Sequence, residues 1–289
     1  MIRDLLRTAY RSALPLLYSK TNYKLFLNTA LGYMDLRLQQ LASVTDYFSG
    51  FVRPVPIMAP FGKSMLVIAP HQDDEAIGCG GALVAQVRAG GKGFVVLLQD
   101  GGDEHAEGGM TRGELVEMRN GESRQSAECA GIEPPTFLSH ASLKADSARL
   151  AEELRSIIAD RRVDAIFTPW LLDGHPDHRE ANYILARVLA DMKWKGRVFG
   201  YEVWGLCIPN VILPIDEVID VKLRMLKCFH YANRALDYVN TTKGLNMFRA
   251  RLLAAGTCSH AECFFEAPVS EFIELVGRVQ AAEGRPGRA

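Results

Sequence analysis

At 289 residues, 48% apolar and 23% charged, the chain is long enough for one large α/β domain, or a domain with an arm, and has an ordinary soluble globular composition. A formal net charge of -1 excludes a global electrostatic case for nucleic acid or another polyanionic partner. Six cysteines without a C-x-x-C pair fit reduced thiols in a cytoplasmic protein better than a disulfide framework or a structural zinc site. No apolar run reaches the ~18 residues that span a bilayer, and Arg7 and Arg11 interrupt any signal-peptide core.

Residues 1–60 read as a helical N-terminal arm. Leu6, Tyr10, Leu14 and Leu17 fall at helical spacing with Arg3, Arg7 and Arg11 on another stripe, so residues 2–14 form a basic amphipathic helix; a second helix is expected over 23–43. Pro54, Pro56 and Pro60 form a rigid connector. Packing of the arm on the domain or on a second subunit, giving a homo-oligomer, ranks first. Weak membrane-surface attachment through residues 1–24 is the competing reading, since Arg3, Arg7, Arg11, Lys20 and Lys24 face the single acid Asp4 there.

From Ser64 to about residue 282 strands and helices alternate, the pattern of a Rossmann-like α/β fold: a mainly parallel sheet with helices on both faces. The apolar run 64–70 is the first strand; Gly78, Gly80 and Gly81 follow a little later, and a helix is expected over 82–88. Residues 94–98 form the second strand, leading into a mobile Gly- and acid-rich loop at 101–112. A helix over 112–130 stops at Gly131, a short strand covers 136–139, a helix 146–161, a buried strand 163–168 and a helix 179–192. Later strands are predicted at 198–203, 215–219 and 262–267, and helices at 222–236, 244–255 and 269–280. Residues 283–289 are expected to fray.

Two clusters of polar residues sit at carboxyl ends of strands, where open α/β sheets bind ligands. The first is His71, Asp73, Asp74 and Glu75 after the first strand; the second, about 100 residues later, is Asp173, His175, Asp177 and His178. Imidazole and carboxylate without thiolate suit a catalytic zinc with an open position for water. His71 and Asp74 can turn toward one point and the second cluster can supply a third ligand, while Asp73 is available to take a proton. The bland alternative is a solvated acidic turn and a helix start capped by Asp177.

Pro70-His71-Gln72-Asp73-Asp74-Glu75 with Gly78-Cys79-Gly80-Gly81, followed by His175-Pro176-Asp177-His178, resembles the PIG-L/LmbE family of zinc-dependent N-acetylglucosamine deacetylases. The resemblance runs from about residue 64 to 266 and takes in Arg119-x-x-Glu122, Gly200-Tyr201-Glu202-Val203-Trp204 and Gly244-Leu245-Asn246. It implies Zn2+ on His71, Asp74 and His178, with Fe2+ equally served by these ligand types. It also implies Asp73 as general base, His175 as the residue that stabilises the oxyanion or protonates the amine, Asp177 as a partner orienting a histidine, and Arg119 on substrate.

The implied reaction is hydrolysis of the acetamide of an N-acetylated amino sugar or its glycoconjugate. The alternatives are another acylated amine, or a metal-dependent sugar-binding module without catalysis. Gln72 departs from the family's usual Pro, which puts the rigidity of that loop in question. Trp170 and Trp204 are read as core residues with the lining of a sugar pocket as the alternative, Glu75 as a hydrogen-bond acceptor, residues 222–227 as a plain helix face, and loops 101–112 and 205–214 as the seat of specificity.

Overall fold

The computed structural model describes residues 53–102 and 110–284. The predicted arm helices, most of loop 101–112 and residues 285–289 lie outside the described residues.

Buried apolar runs set the sheet. Strands β1 (Val55–Pro56), β2 (Ser64–Ala69), β3 (Lys92–Gln99), β4 (Thr136–His140), β5 (Ala165–Pro169), β6 (Arg197–Tyr201), β7 (Val211–Pro214) and β8 (Ala261–Pro268) lie in the order β1-β7-β8-β6-β5-β2-β3-β4. Only the pairings of β8 with β6 and β7 are antiparallel. Every residue of β2 is buried, because alternate side chains feed cores on opposite faces. Leu66 and Ile68 join one core with Leu154, Leu185 and Val276; Met65 and Val67 join the other with Leu83, Val84 and Met225.

Helices α1 (Asp74–Arg88), α2 (Arg112–Ala130) and α5 (Ile219–Lys227) cover the second face, and α3 (Ser147–Asp160), α4 (Pro176–Asp191) and α8 (Val269–Ala282) the first. Between α5 and β8 run the short α6 (His230–Ala235) and α7 (Tyr238–Ala250). A Thr111/Glu114 capping box opens α2, and Gly131, at φ 73°, closes it. The strands β2 and β5, about 100 residues apart in sequence, are direct neighbours in parallel register, Met65 facing Ala165. Their carboxyl ends, and with them the two polar clusters, therefore meet on one rim of the sheet.

Several expectations are corrected. The helix predicted over 82–88 begins earlier and takes in the glycines after the first motif. They lie inside α1, which starts at Asp74 and kinks at Cys79 (φ -145°, ψ 23°). Gly78 is required by close approach, since a Cβ there would lie 2.0 Å from the Tyr201 ring. The strand predicted at 215–219 falls instead at 211–214, because Asp216 leaves the sheet to accept the Ser259 and His260 backbone N–H groups. The helix predicted over 222–236 breaks at Phe229 into α5 and α6. The sheet also takes in Val55–Pro56 from the segment read as arm; Pro56 is tolerated because β1 is an edge strand. Glu283 does not fray: it accepts the Tyr183 hydroxyl at 2.8 Å and pairs with Arg179 at 3.2 Å.

Lys222 is the largest correction, since it is wholly buried rather than on a solvated face. Its Nζ donates to Glu262 Oε1 at 2.6 Å and to the Ile77 carbonyl at 2.9 Å. Glu262 in turn accepts the Gly81 and Ala82 N–H groups at 2.7 and 2.8 Å. One buried ion pair thus satisfies the backbone groups that the kink in α1 frees. Lys222→Met should cost about 3–5 kcal/mol in chemical denaturation, because it leaves Glu262 charged, buried and unpaired. Lys222→Met with Glu262→Gln should recover part of that loss, and equal losses in the two variants would contradict this account.

Candidate metal centre

The first cluster is set by the exit of β2 into α1. Asp73 is the N-cap of α1 and sits at φ 114°, ψ -28°, a strained conformation for a residue with a Cβ, of the sort that costs about 1–3 kcal/mol. It is held there by Glu75, whose Oε2 accepts the Asp73 N–H at 3.2 Å, and by the Ala76 and Ile77 N–H groups donating to the Asp73 carbonyl. Asp74 and Glu75 fall in the first turn of α1, where the helix dipole favours carboxylates.

The second cluster opens α4 with Pro176 at its first position. The N-cap is His175 and not Asp177: Nδ1 of His175 accepts the Asp177 N–H at 3.2 Å. A lone pair on Nδ1 leaves the proton of a neutral His175 on Nε2.

Asp74 Oδ2 lies 3.3 Å from His71 Nδ1 and 3.3 Å from His178 Nε2. Ligand atoms held about 2.0–2.1 Å from a tetrahedral zinc are about 3.3 Å apart, so both spacings match a shared metal. The ring nitrogens of His178, at 0% exposure, face carboxylates without ideal hydrogen-bonding geometry, and Nε2, the nitrogen beside Asp74, is the one placed to hold a metal. Ring nitrogens of His71, His175 and His178 also fall within 4.8 Å of one another. The residues present therefore fit a metal ion, with His71, Asp74 and His178 as the better set, because His175 already uses Nδ1 on backbone.

The surrounding charges reinforce this arrangement. Burial works against protonated His71, but Asp177 and Asp74 outweigh it and lift its pKa to about 9. Burial likewise opposes charge on His178, yet Asp74 and Asp173 raise it to about 10. Burial pushes Asp74 up, and His178 and His71 overcome it to hold the carboxylate well below its usual range. Asp73 rises to about 7 through burial and the neighbouring Asp74 charge, with Arg119 pulling the other way. Glu75 rises to about 8, chiefly through burial. His175 is lowered by burial and by the neighbouring imidazoles, which favours its neutral form.

Histidine orientation is divided between two carboxylates. Asp177 Oδ2 lies 3.3 Å from His71 Nε2 and 3.7 Å from His175 Nδ1. His178 is served by Asp173, whose Oδ1 lies 3.2 Å from Nδ1. Asp173 is wholly buried and also accepts the N–H groups of His175, Trp204 and Gly205. Its place two residues before His175 was its only sequence signal. Such carboxylates fix the tautomer and direction of metal-binding imidazoles.

His71, Asp73, Asp74, His175 and Arg119 line one cavity of about 390 Å³. His178 lies behind it. Arg119 is anchored by donating to the Gly101 carbonyl at 3.0 Å and the Gln72 carbonyl at 3.2 Å, and its guanidinium lies 5.4 Å from the Tyr231 ring centre. Gln72 tightens its loop, because it is 1% exposed and donates to the Asp100 carbonyl and Asn120 Oδ1. Trp170 is core, as read from sequence, but Trp204 is 57% exposed and lines the cavity edge-on to Tyr238. The wall that sequence reasoning missed is Tyr231, Ala232, Arg234, Ala235 and Tyr238, from α6 and the start of α7. Of the segment 205–214, Cys207 and Asn210 to Leu213 are buried, Leu206 is exposed, and none of its residues lines this cavity.

Residues 66–189 match the PIG-L family, described as GlcNAc-PI de-N-acetylase. The chain is 28% identical over 190 residues to diacetylchitobiose deacetylase of Thermococcus kodakarensis, covering 59% of this chain and 71% of that protein. Among solved structures, the N,N'-diacetylchitobiose deacetylase of Pyrococcus horikoshii superposes with a TM-score of 0.62 at 19% identity, covering 88% of this chain and 94% of that one. The 4-carboxy-2-hydroxymuconate hydratase GalB of Pseudomonas putida superposes with a TM-score of 0.58 at 20% identity, covering 71% and 96%. These structures show a shared fold, and two different reactions are carried on it.

Elemental analysis of purified variants separates the ligands from their neighbours. His71→Ala, Asp74→Ala and His178→Ala should each lose most bound metal, and Asp173→Ala should weaken metal affinity about 10–100-fold. His175→Ala should keep metal near the wild-type level. Full metal content in any of the first three would contradict the assignment.

Proposed function

We propose, from the match of residues 66–189 to the PIG-L family, that the chain is a zinc-dependent N-deacetylase hydrolysing the acetamide of an N-acetylated amino sugar or its glycoconjugate. The observation that carries the reading is the placement of a buried-edge carboxylate, Asp73, beside the His71, Asp74, His178 cluster and facing the same cavity as His175. Fe2+ suits these ligands as well as Zn2+. Either ion, when bound, supplies a lowered pKa for water and a polarised acetyl carbonyl.

The chain's own groups do the rest. Asp73 accepts the proton of the attacking water at its carboxylate, a role matched by a pKa raised to about 7. His175 offers its Nε2–H to the acetyl oxygen as that oxygen gains negative charge, and Asp177 fixes the ring through its backbone N–H on Nδ1. When the C–N bond breaks, the proton held on Asp73 passes to the leaving amine, so acetate and a free amino sugar result. Arg119, pinned by two backbone carbonyls, and the Trp204–Tyr238 pair offer a cation and an aromatic edge to the sugar.

Six free thiols support a reducing, cytoplasmic setting for this chemistry. Among the described residues no helix is long and apolar enough to cross a membrane.

Acetate release from N,N'-diacetylchitobiose and from acetylated glycoconjugates tests the reading. Asp73→Asn should lower kcat about 10²–10⁴-fold with metal content unchanged. His175→Ala should lower kcat about 10²–10³-fold with little change in KM. A metal-dependent sugar-binding module needs no base, so undiminished function of Asp73→Asn would favour that alternative.

A further inference from the structure

The wall that α6 adds to the cavity is lightly held. None of its residues, His230–Ala235, is buried. Asn233 ties it back by donating its side-chain amide to the Leu226 and Phe229 carbonyls at 2.8 Å each, and Tyr231 donates its N–H to Glu122 Oε1 of α2 at 3.0 Å. Arg119, one turn earlier on α2, lies against the Tyr231 ring on the cavity side. Segments with few buried contacts are the first to open. How far the wall swings from Arg119 therefore depends on how α2 and the root of α6 are joined.

A further contact stands at that root. Helices α2 and α5 pack against each other. Cys129 in the last turn of α2 and Cys228 at the C-terminal cap of α5, two residues before α6 begins, bring their Sγ atoms to 3.9 Å. Both are half-buried, so small thiols and disulfides reach them, whereas Cys79, Cys207 and Cys263 are buried. A bond between the two sulfurs needs them to close to about 2.0 Å, an approach shared between the two side chains and the helix ends that carry them. Burial and the adjoining Cys129 thiol hold the Cys228 thiol up at about 11, so exchange begins at Cys129 and ends at Cys228.

We propose that Cys129 and Cys228 form a reversible disulfide that staples the root of the α6 wall to α2 and restricts the cavity mouth for bulky substrates. The oxidant is a low-molecular-weight disulfide. The Cys129 thiolate attacks it, forming a mixed disulfide and releasing one small thiol; Cys228 then loses its proton, attacks the Cys129 sulfur and releases the second. Two protein thiols are oxidised, the small disulfide is reduced to two thiols, and the two protons pass to those thiols. Excess small thiol reverses the exchange, as for the transient disulfides of reducing compartments. The bond rests on the thiol geometry, and its effect on turnover rests on the deacetylase reading.

Incubation of the full-length protein with oxidised glutathione, followed by peptide mapping without reductant, tests the bond. The wild type should yield a Cys129–Cys228 cross-linked peptide that dithiothreitol removes, and Cys129→Ser or Cys228→Ser should yield only a glutathione adduct on the cysteine that remains. Glutathione adducts on both cysteines of the wild type, or a link from either to another cysteine, overturn the proposal. Hydrogen exchange reads the staple without any substrate. Amides of residues 230–235 should exchange about tenfold or more slowly in the oxidised wild type, and oxidant should not move them in Cys129→Ser. Unchanged exchange in the oxidised wild type overturns the proposal as well. Oxidation should also raise KM for a bulky acetylated glycoconjugate at least about fivefold, while kcat for a small acetamido sugar and metal content keep their reduced-state values. An unchanged KM for the glycoconjugate overturns the restriction of the mouth. Cross-linking and slowed exchange with no acetate from any sugar uphold the staple and remove the deacetylase reading.

Discussion

The buried pair Lys222–Glu262 is the constraint on which the site's geometry depends. Helix α1 must leave the sheet rim with Asp73 and Asp74 at its start, yet it cannot run straight, because it passes Tyr201 at Gly78 and bends at Cys79. The bend frees a carbonyl at Ile77 and N–H groups at Gly81 and Ala82 in a place without water, and leaving such groups unpaired costs about 1–3 kcal/mol each. Lysine supplies the donor and glutamate the two acceptors, from α5 and β8. A buried ion pair is a weak device for stability alone, since desolvation offsets its attraction. Its use here is geometric. Tyr201 adds to the same bracket from β6, its hydroxyl donating to the Ile68 carbonyl at 2.8 Å, just before the motif.

With the helix start fixed, the rest of the centre is a balance of buried charge. Three imidazoles and the carboxylates of Asp74, Asp173 and Asp177 converge where β2 and β5 end side by side. Without a cation the histidines draw protons, which is why His71 and His178 stand well above the ordinary imidazole range. A divalent ion would replace those protons, and the strained N-cap Asp73 would remain beside it as the group able to move one. The shared fold of a deacetylase and a hydratase gives the local arrangement of Asp73 and His175 more weight than the architecture in deciding the reaction.

The legible parts of the sequence were those governed by local rules. Apolar runs such as 65–69 and 94–98 became buried parallel strands, Gly131 ended α2, and two polar clusters after strands lay on one rim. What was not legible depended on distant partners. The need for Gly78 and Gly81 shows only when Tyr201 and Glu262 are placed against them, and Lys222 looks like a surface lysine until Glu262 lies beside it. Asp173 has no motif of its own, and its role appears only when His178 and the 204–205 backbone are brought to it. The cavity wall at 231–238 was hidden because a break at Phe229 follows from packing rather than from a Gly or Pro signal.

The proposed centre requires that His71 and Asp74 from the first motif and His178 from the second converge on a single metal ion. Diffraction from crystals grown with zinc, measured on both sides of its absorption edge, tests it directly. An anomalous peak within coordinating distance of all three side chains, with His175 Nε2 facing the cavity and free of the metal, is the predicted result. A peak held by the three histidines with Asp74 outside the coordination sphere, or none between the two motifs, would contradict it.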